Sequence, residues 1–432
     1  MKKHILSIFV CILMLGVCLL PFGRSALAEE ASATDLRFGS DGTFTILIFS
    51  DLQDIQFVTR QIVAGEKSVL ADTSADLIVL LGDQMDGANP IMHIGNGDQN
   101  CLKTLTALME PISDSGIPFA VVFGNHDYDA PISIADQVKF YESYETCVGV
   151  NYGTNLSDTG AYALPVYLSD GSAKAMELYF FDSGYYLPNG DYNTVSAEQV
   201  AWYNEQSALL HNENGNQALP SLAFYHIPLP EVYDMLTEVE KGTPNSFEGV
   251  GTGAGKYYLP DSDMIFTGDV NEPPCPSSSN NGLFDAFLNN GDVFLAVNGH
   301  DHTNSYIGSL HGIDLANAPG SSFTSYGSED TRGVRLFRFT EHNVKNYETV
   351  HVRYGEYNSP ASFGYLRYFF TTTIGLNGVP SMAKFVILFL VVLIAAIVIL
   401  IIALKKRKKK RKLAAQATAV EPKPEETGKS KS

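Results

Sequence analysis

Five short apolar runs in this sequence are each followed by polar side chains that can bind a metal ion. The runs cover residues 44–50, 76–81, 118–123, 222–225 and 293–297. The polar residues that follow them are Asp51 and Gln53, Asp83, Asn125 and His126, His226, and His300 and His302. Short apolar runs with polar ends predict buried strands, and open α/β sheets form their sites at strand ends. We therefore expect these side chains to form one cluster.

The residue types in this cluster indicate a particular chemistry. Carboxylate, imidazole and amide oxygen are suitable ligands for Mn²⁺, Fe²⁺ or Zn²⁺, and a bridging carboxylate can hold two ions about 3.5–4 Å apart. Such a pair binds phosphate oxygens, lowers the pKa of a bridging water and stabilises an in-line transition state. The cluster therefore predicts a hydrolase of small phosphoesters with two divalent cofactors, whose identity among Mn, Fe, Zn and Mg stays open.

The same residues lie in motifs that resemble the calcineurin-like metallophosphoesterases, in the family's order over residues 44 to about 306. The motifs are Asp51-Leu52-Gln53, Gly82-Asp83-Gln84-Met85-Asp86, Gly124-Asn125-His126-Asp127, His226 and Gly299-His300-Asp301-His302. The resemblance implies that Asp51 and His302 bind one metal and that Asp83 bridges to a second. The remaining ligands that it implies are Asn125, His226 and His300, with His126 as the catalytic residue that binds the substrate phosphate or protonates the leaving oxygen.

Three acidic residues of these motifs are expected to support the ligands through hydrogen bonds. They are Asp127, Asp301 and Asp86.

The segments 181–184, 199–209, 225–231 and 299–304 make the chain most similar to the branch with the plant purple-acid-phosphatase-like and fungal cell-cycle phosphatases. Purple enzymes carry a tyrosinate ligand three residues after the bridging Asp. Asp86 stands at that position here, so no purple Fe³⁺ centre is expected.

Gln53 is the main departure from the family pattern, which usually has His two residues after the first Asp. Its amide oxygen is a neutral and harder ligand than imidazole, which weakens this site or favours Mg²⁺ or Mn²⁺ over Zn²⁺. Alternatively, Asp54 binds the metal in its place, or Gln53 contacts a metal-bound water. The sequence leaves these three alternatives open.

The elements that position these residues begin with a βαβαβ pattern, because helical spacing over residues 60–71 and 101–112 separates the first three strands. Further strands are predicted at 162–168, 176–181, 334–339 and 351–354. A helix is predicted over 196–210, with Ser196 as its N-cap. We predict a mixed α/β fold: a four-layer αββα sandwich of two mixed β-sheets flanked by helices.

Both ends of the chain carry targeting signals. Residues 1–28 predict a signal peptide with small residues at its end, although a lipoprotein signal ending at Cys18 is an alternative. Residues 385–404 are 20 uncharged residues that predict a transmembrane helix, and eight basic residues at 405–412 indicate its cytoplasmic side. We therefore predict a single-pass cell-membrane protein with an extracytoplasmic domain over 29–380 and a basic, disordered cytoplasmic tail over 405–432.

Charge narrows the possible partners. Residues 29–380 contain 14 Lys and Arg against 45 Asp and Glu, a formal charge of −31, which argues against nucleic acid and against a nuclease. Only Cys101, Cys147 and Cys275 follow the signal peptide, so at most one disulfide can form.

Phosphomonoester hydrolysis is the predicted activity. The alternatives are a phosphodiesterase or nucleotide hydrolase of the same mechanism, and a non-catalytic surface binding protein with a metal site impaired by Gln53.

Overall fold

The computed structural model describes residues 35–150, 160–327, 331–356 and 381–418. The chain divides into two compact units, Met1–Asp35 and Leu36–Ser432, and every helix and strand described below belongs to the second. The predicted signal peptide and residues 419–432 of the predicted tail lie outside the described residues.

Sixteen strands lie within the described ranges. They are β1 (Thr43–Phe49), β2 (Leu77–Leu81), β3 (Phe119–Val122), β4 (Cys147–Val150), β5 (Tyr162–Tyr167), β6 (Lys174–Phe180), β7 (Ser221–Phe224), β8 (Leu236–Val239), β9 (Phe247–Glu248), β10 (Tyr257–Pro260), β11 (Ile265–Thr267), β12 (Val293–Asn298), β13 (Ile307–Leu310), β14 (Ile313–Asn317), β15 (Gly333–Thr340) and β16 (Glu348–Arg353). All nine predicted strands are present, with ends that differ by up to three residues.

The strands form two large mixed sheets and one small one. The first sheet has the order β16-β15-β1-β2-β3-β4, in which β1 to β4 run parallel and β15 and β16 are antiparallel additions. The second has the order β11-β13-β14-β12-β7-β6-β5, with β6, β7, β12 and β14 parallel. A three-stranded antiparallel sheet, β8-β10-β9, was not predicted.

The described residues also contain seven α-helices. They are α1 (Arg60–Asp72), α2 (Gly97–Ser115), α3 (Asn125–Asp129), α4 (Ile134–Glu142), α5 (Ala197–Glu213), α6 (Leu283–Asn290) and α7 (Ser381–Thr418). Short 3₁₀ turns lie at Pro230–Met235, Gly251–Gly253 and Tyr354–Glu356. The Ser196 side chain accepts a hydrogen bond from the Gln199 backbone N–H at the start of α5, which is the predicted N-cap.

Strand β1 shows how the layers pack, because its side chains alternate between two cores. Ile46 and Ile48 belong to the core between the two large sheets, together with side chains of β6, β7 and β12. Leu47 and Phe49 belong to a second core, which includes side chains of α1 and α2. A third core joins the outer face of the second sheet to α5 and α6. One core lies between the two large sheets, and one lies between each sheet and its helices. This is the predicted αββα order of layers.

Helix α7 contains a stretch, Phe389–Lys408, that is long and apolar enough to cross a membrane by length and composition. The helix differs from the prediction at its C-terminal end. It continues through the basic run to Thr418, where disorder was predicted from residue 405. Lys, Arg, Ala, Leu and Gln all have high helix propensity, and the next proline is Pro422, so nothing in residues 405–418 breaks the helix.

Candidate metal centre

The predicted site residues come together where the carboxyl ends of strands from both large sheets meet. Asp51 and Gln53 follow β1, Asp83 follows β2 and Asn125 follows β3, while His226 and His300 follow β7 and β12 of the second sheet. The His226 ring Nδ1 lies 2.9 Å from the Leu81 carbonyl oxygen. The His300 backbone N–H donates to Asp51 Oδ2 at 3.0 Å. These two hydrogen bonds join the sheets directly beneath the site.

Four of these residues have an unusual backbone conformation. Asp51, Gln53, Asp83 and His300 have φ angles of 52°, 35°, 52° and 73°, in the left-handed region that side chains other than glycine rarely adopt. Each such residue costs of order 1–3 kcal/mol and persists only where surrounding contacts enforce it. Here the Asp51 and Gln53 N–H groups donate to the Gly82 and Asp83 carbonyls at 3.1 and 3.0 Å, which fixes the two loops against each other.

One half of the centre, which we call the His226 half, contains Asn125, His226 and His300. Ligand atoms of Asp83, His226 and His300 all lie within 4.8 Å of one another, and the three side chains are buried. The Asn125 amide nitrogen donates to the Tyr186 hydroxyl at 3.0 Å, and Asn125 Oδ1 makes no hydrogen bond to any residue that the structure describes. This half therefore presents two imidazoles and one carboxylate within 4.8 Å of one another, with the Asn125 amide oxygen as its fourth predicted ligand.

The other half, the Gln53 half, contains Asp51, Gln53 and His302. His302 Nε2 lies 3.3 Å from Asp51 Oδ1, and its Nδ1 lies 3.1 Å from the Tyr326 carbonyl oxygen. The Gln53 amide nitrogen donates to Asp83 Oδ2 at 2.8 Å. The amide thus contacts the predicted bridging carboxylate directly.

Asp54 points away from the centre. Its Oδ1 accepts from the Ile55 backbone N–H at 2.8 Å. Its Oδ2 accepts from the backbone N–H and the hydroxyl of Thr59, both at 2.8 Å. Both carboxylate oxygens are therefore used at the start of α1, which argues against Asp54 as the substitute ligand.

His126 is the most exposed predicted site residue, with its side chain 27% exposed. Its backbone N–H donates to Asp83 Oδ1 at 2.7 Å, and its ring Nδ1 lies 3.1 Å from Asp129 Oδ2. Asp129 in turn accepts from the Tyr185 hydroxyl at 2.9 Å. These contacts fix the ring at its Nδ1 side and leave Nε2 for a ligand at the open side of the centre.

The three predicted supporting acids have different partners. Asp127 accepts from the backbone N–H groups of Gln84 and Gly124 at 3.0 and 2.9 Å, so it holds the two loops that carry Asp83 and Asn125. Asp301 accepts from the Cys275 N–H at 3.2 Å, and Asp86 accepts from the Asn89 amide at 2.9 Å. Asp127 therefore supports ligands, whereas Asp301 and Asp86 anchor neighbouring loops.

The electrostatics of the centre follow from burial and close charges. Burial raises the pKa of Asp83, but His226 and His126 outweigh it and hold that pKa well below its usual range. Burial lowers the pKa of His226, but Asp83 and Asp51 raise it to about 10. Burial, reinforced by His226, lowers the pKa of His300 to about 3. His300 is thus a neutral ligand, while His226 carries a proton that a bound cation would replace.

The residues present fit a pair of divalent cations. One buried polar atom of the centre, Asn125 Oδ1, has no hydrogen-bond partner among the described residues. Asp51 Oδ1 and His226 Nε2 have only ion-pair contacts, with His302 Nε2 and Asp83 Oδ2, both at 3.3 Å. Buried polar atoms are nearly always paired, so an unpaired amide oxygen beside two close carboxylate–imidazole pairs fits a site that binds cations. A carboxylate oxygen, an amide oxygen and an imidazole nitrogen are donors that transition metals and Mg²⁺ accept.

Several residues that touch the centre were not predicted to belong to it. The Tyr192 ring lies 4.4 Å from the His300 ring, and the Tyr326 ring stacks on His302 at 4.0 Å. Asp129 and Tyr186 contact His126 and Asn125 as described above. Only Asp129 gave a sequence signal, because it follows His126 by three residues on what becomes the single-turn helix α3.

The two-sheet fold and the cluster of carboxylates, imidazoles and amide are those expected of one class of protein, the metal-dependent phosphoesterases. The calcineurin-like phosphoesterase family matches residues 44–304, and the chain belongs to that family. It is 26% identical over 401 residues to probable inactive purple acid phosphatase 14 of Arabidopsis thaliana, covering 82% of this chain and 88% of that protein. It is 25% identical over 261 residues to phosphatase DCR2 of Saccharomyces cerevisiae, covering 56% of this chain and 38% of that protein.

One solved structure to which the chain is similar is a dimetal phosphatase from Danio rerio, 13% identical, with a TM-score of 0.44 over 71% of this chain and 98% of that chain. The predicted family is confirmed, as is the predicted similarity to its purple-acid-phosphatase-like and fungal branch.

Proposed function

We propose that this protein hydrolyses phosphomonoesters with two divalent cations. The observation that carries the proposal is the position of His126, a partly exposed imidazole fixed by Asp83 and Asp129 beside an otherwise buried set of ligands. When bound, the cations supply a Lewis acid for phosphate oxygens and a hydroxide nucleophile at neutral pH.

The side chains of the chain divide the remaining tasks. Asp83 would hold both cations, the residues of the His226 half would hold one of them, and Asp51 and His302 would hold the other. Asp127 keeps the loops of Asp83 and Asn125 in register. His126 Nε2 binds a phosphate oxygen or delivers a proton to the leaving oxygen, while Asp129 holds its other nitrogen.

A second candidate is a surface binding protein without turnover. Two observations favour it: Gln53 donates to Asp83 where the family usually has a ligating His, and the relative from Arabidopsis thaliana is named probable inactive. The retained ligands and the fixed orientation of His126 favour hydrolysis over this alternative.

We further propose that helix α7 anchors the protein in the cell membrane, with the phosphoesterase domain on the extracytoplasmic side. The support is the candidate membrane span Phe389–Lys408, whose uncharged part ends at Leu404 and is followed by the basic run from Lys405, which marks the cytoplasmic end of a membrane helix. The acidic domain argues against nucleic acid as a partner. Labelling of single cysteines on either side of the membrane in intact cells tests the topology.

The test of the activity uses the full-length protein in detergent, stripped with a chelator and then supplied with Mn²⁺, Mg²⁺, Zn²⁺ or Fe²⁺. We expect cation-dependent hydrolysis of p-nitrophenyl phosphate, with slower hydrolysis of bis-p-nitrophenyl phosphate. Preference for the bis ester would make the protein a diesterase. A folded protein that binds cations and hydrolyses neither ester would support the binding protein.

A further inference from the structure

Four tyrosines form a continuous row at the open side of the metal centre, and we call them the tyrosine wall: Tyr192, Tyr186, Tyr185 and Tyr128. Successive ring centroids along the wall are 5.4, 4.8 and 6.0 Å apart. Three of these residues come from the loop between β6 and α5, where an isolated bridge pairs Tyr186 with Tyr192. Backbone pairing within this loop therefore fixes Tyr186 and Tyr192 relative to each other.

The wall touches the centre at three points. Tyr192 contacts the ring of His300, the Tyr186 hydroxyl accepts from Asn125, and the Tyr185 hydroxyl donates to Asp129, which holds His126. A group leaving a phosphate near His126 consequently lies beside the wall. Tyr185, the third ring of the row, is 43% exposed and therefore open to a ligand.

The charge of the loops around the metal centre limits the charge that such a ligand can carry. The loops at residues 51–59, 82–96, 123–133, 181–196 and 299–306 contain Asp in every segment and neither Lys nor Arg. Apart from the cations themselves, a second phosphate on the substrate would therefore find no basic side chain in these loops to pair with. An uncharged planar ring, in contrast, gains stacking energy on tyrosine.

We propose that the preferred substrates are phosphomonoesters whose leaving group carries a planar ring and no further phosphate, with Tyr185 as the residue that selects the ring. The inference rests on the proposed phosphomonoesterase function and adds the substrate class. Nucleoside monophosphates and esters of simple aromatic alcohols both have this chemistry.

The experiment compares pairs of substrates with matched leaving oxygens, using the metal-loaded full-length protein. Adenosine 5′-monophosphate is compared with ribose 5-phosphate, and benzyl phosphate with cyclohexylmethyl phosphate. We expect kcat/KM to be about 10-fold higher for the member with the planar ring in at least one pair, which is the typical effect of one stacked ring. A preference in the first pair identifies a nucleoside as the leaving group, and a preference in the second pair identifies a simple aromatic alcohol.

Two variants test the aromatic ring of Tyr185 separately from its hydrogen bond. Tyr185→Phe and Tyr185→Leu both lose the hydrogen bond to Asp129, but only Tyr185→Phe keeps an aromatic ring. We expect the preference to persist in Tyr185→Phe and to fall about 10-fold in Tyr185→Leu. Equal ratios in the two variants would overturn the role of Tyr185.

The outcome separates this inference from the proposed function. Turnover of all four esters without preference for the ring would overturn the substrate class and leave the phosphomonoesterase intact. Absence of turnover would contradict the phosphomonoesterase. In that case binding is measured by calorimetry with benzylphosphonate and cyclohexylmethylphosphonate. Tighter binding of benzylphosphonate would uphold ring selection, and equal binding would refute it.

Discussion

The two halves of the metal centre share Asp83 but differ in how far their ligands are already arranged. In the His226 half, ligand atoms of Asp83, His226 and His300 lie within 4.8 Å of one another, and the Asn125 oxygen has no partner within the described part of the chain. In the Gln53 half, the glutamine amide donates to Asp83. A site whose donors already face one point loses less conformational entropy on binding. We therefore expect the His226 half to bind its cation more tightly than the Gln53 half.

Removal of a ligand from the tighter half should have the largest effect. In His300→Ala we expect loss of that cation and a decrease in turnover of more than about 100-fold, the upper range for loss of a residue that only supports a ligand. Cation content and p-nitrophenyl phosphate hydrolysis measure both. His311→Asn is the control, because His311 is exposed in the turn between β13 and β14. Normal cation content in His300→Ala would remove His300 from the ligand set.

His126 should separate cation binding from turnover. In His126→Ala we expect both cations to stay bound and turnover to fall by about 10²–10⁴-fold, the range for loss of a general acid or base. The measurement is cation stoichiometry and kcat on the same preparation. Turnover equal to that of the unmodified protein would exclude His126 from the reaction.

Asp129 should have a smaller effect that depends on the leaving group. Asp129→Asn removes the charge that holds His126 Nδ1, and we expect turnover to fall by about 10-fold. The decrease should be larger for phenyl phosphate than for p-nitrophenyl phosphate, because a poor leaving group needs the proton more. Asp263→Asn, at an exposed position, is the control. An equal decrease for both esters would indicate loss of structure and not of proton delivery.

Gln53→His should reduce the difference between the two halves in their affinity for a cation. Imidazole binds Zn²⁺ better than a neutral amide does, and we expect roughly 10-fold tighter binding of the weaker cation. Calorimetric titration with Zn²⁺ measures this change. Gln56→His adds an imidazole to the same loop, where Gln56 donates to the Ile91 carbonyl, and should leave the affinity unchanged. No difference between the two variants would place residue 53 outside the ligand set.

The sequence predicted the parts of the fold that depend on a regular pattern. Strands such as β1 and β12 are continuous apolar runs because both of their faces are buried, and their polar ends mark the edge where the site forms. The sheet β8-β10-β9 was missed because its strands are short and partly exposed, so they show no apolar run. Tyr185, Tyr186 and Tyr192 were missed because a loop brings them to the centre, and loops carry no periodic signal.

The most direct test of the central claim is electron paramagnetic resonance of the full-length protein titrated with Mn²⁺. Two cations bridged by Asp83 would be magnetically coupled, so we predict that the first equivalent gives a signal of isolated Mn²⁺ and the second converts it into a coupled spectrum. Saturation at one equivalent, or two equivalents that remain uncoupled, would contradict a dinuclear centre built on Asp83.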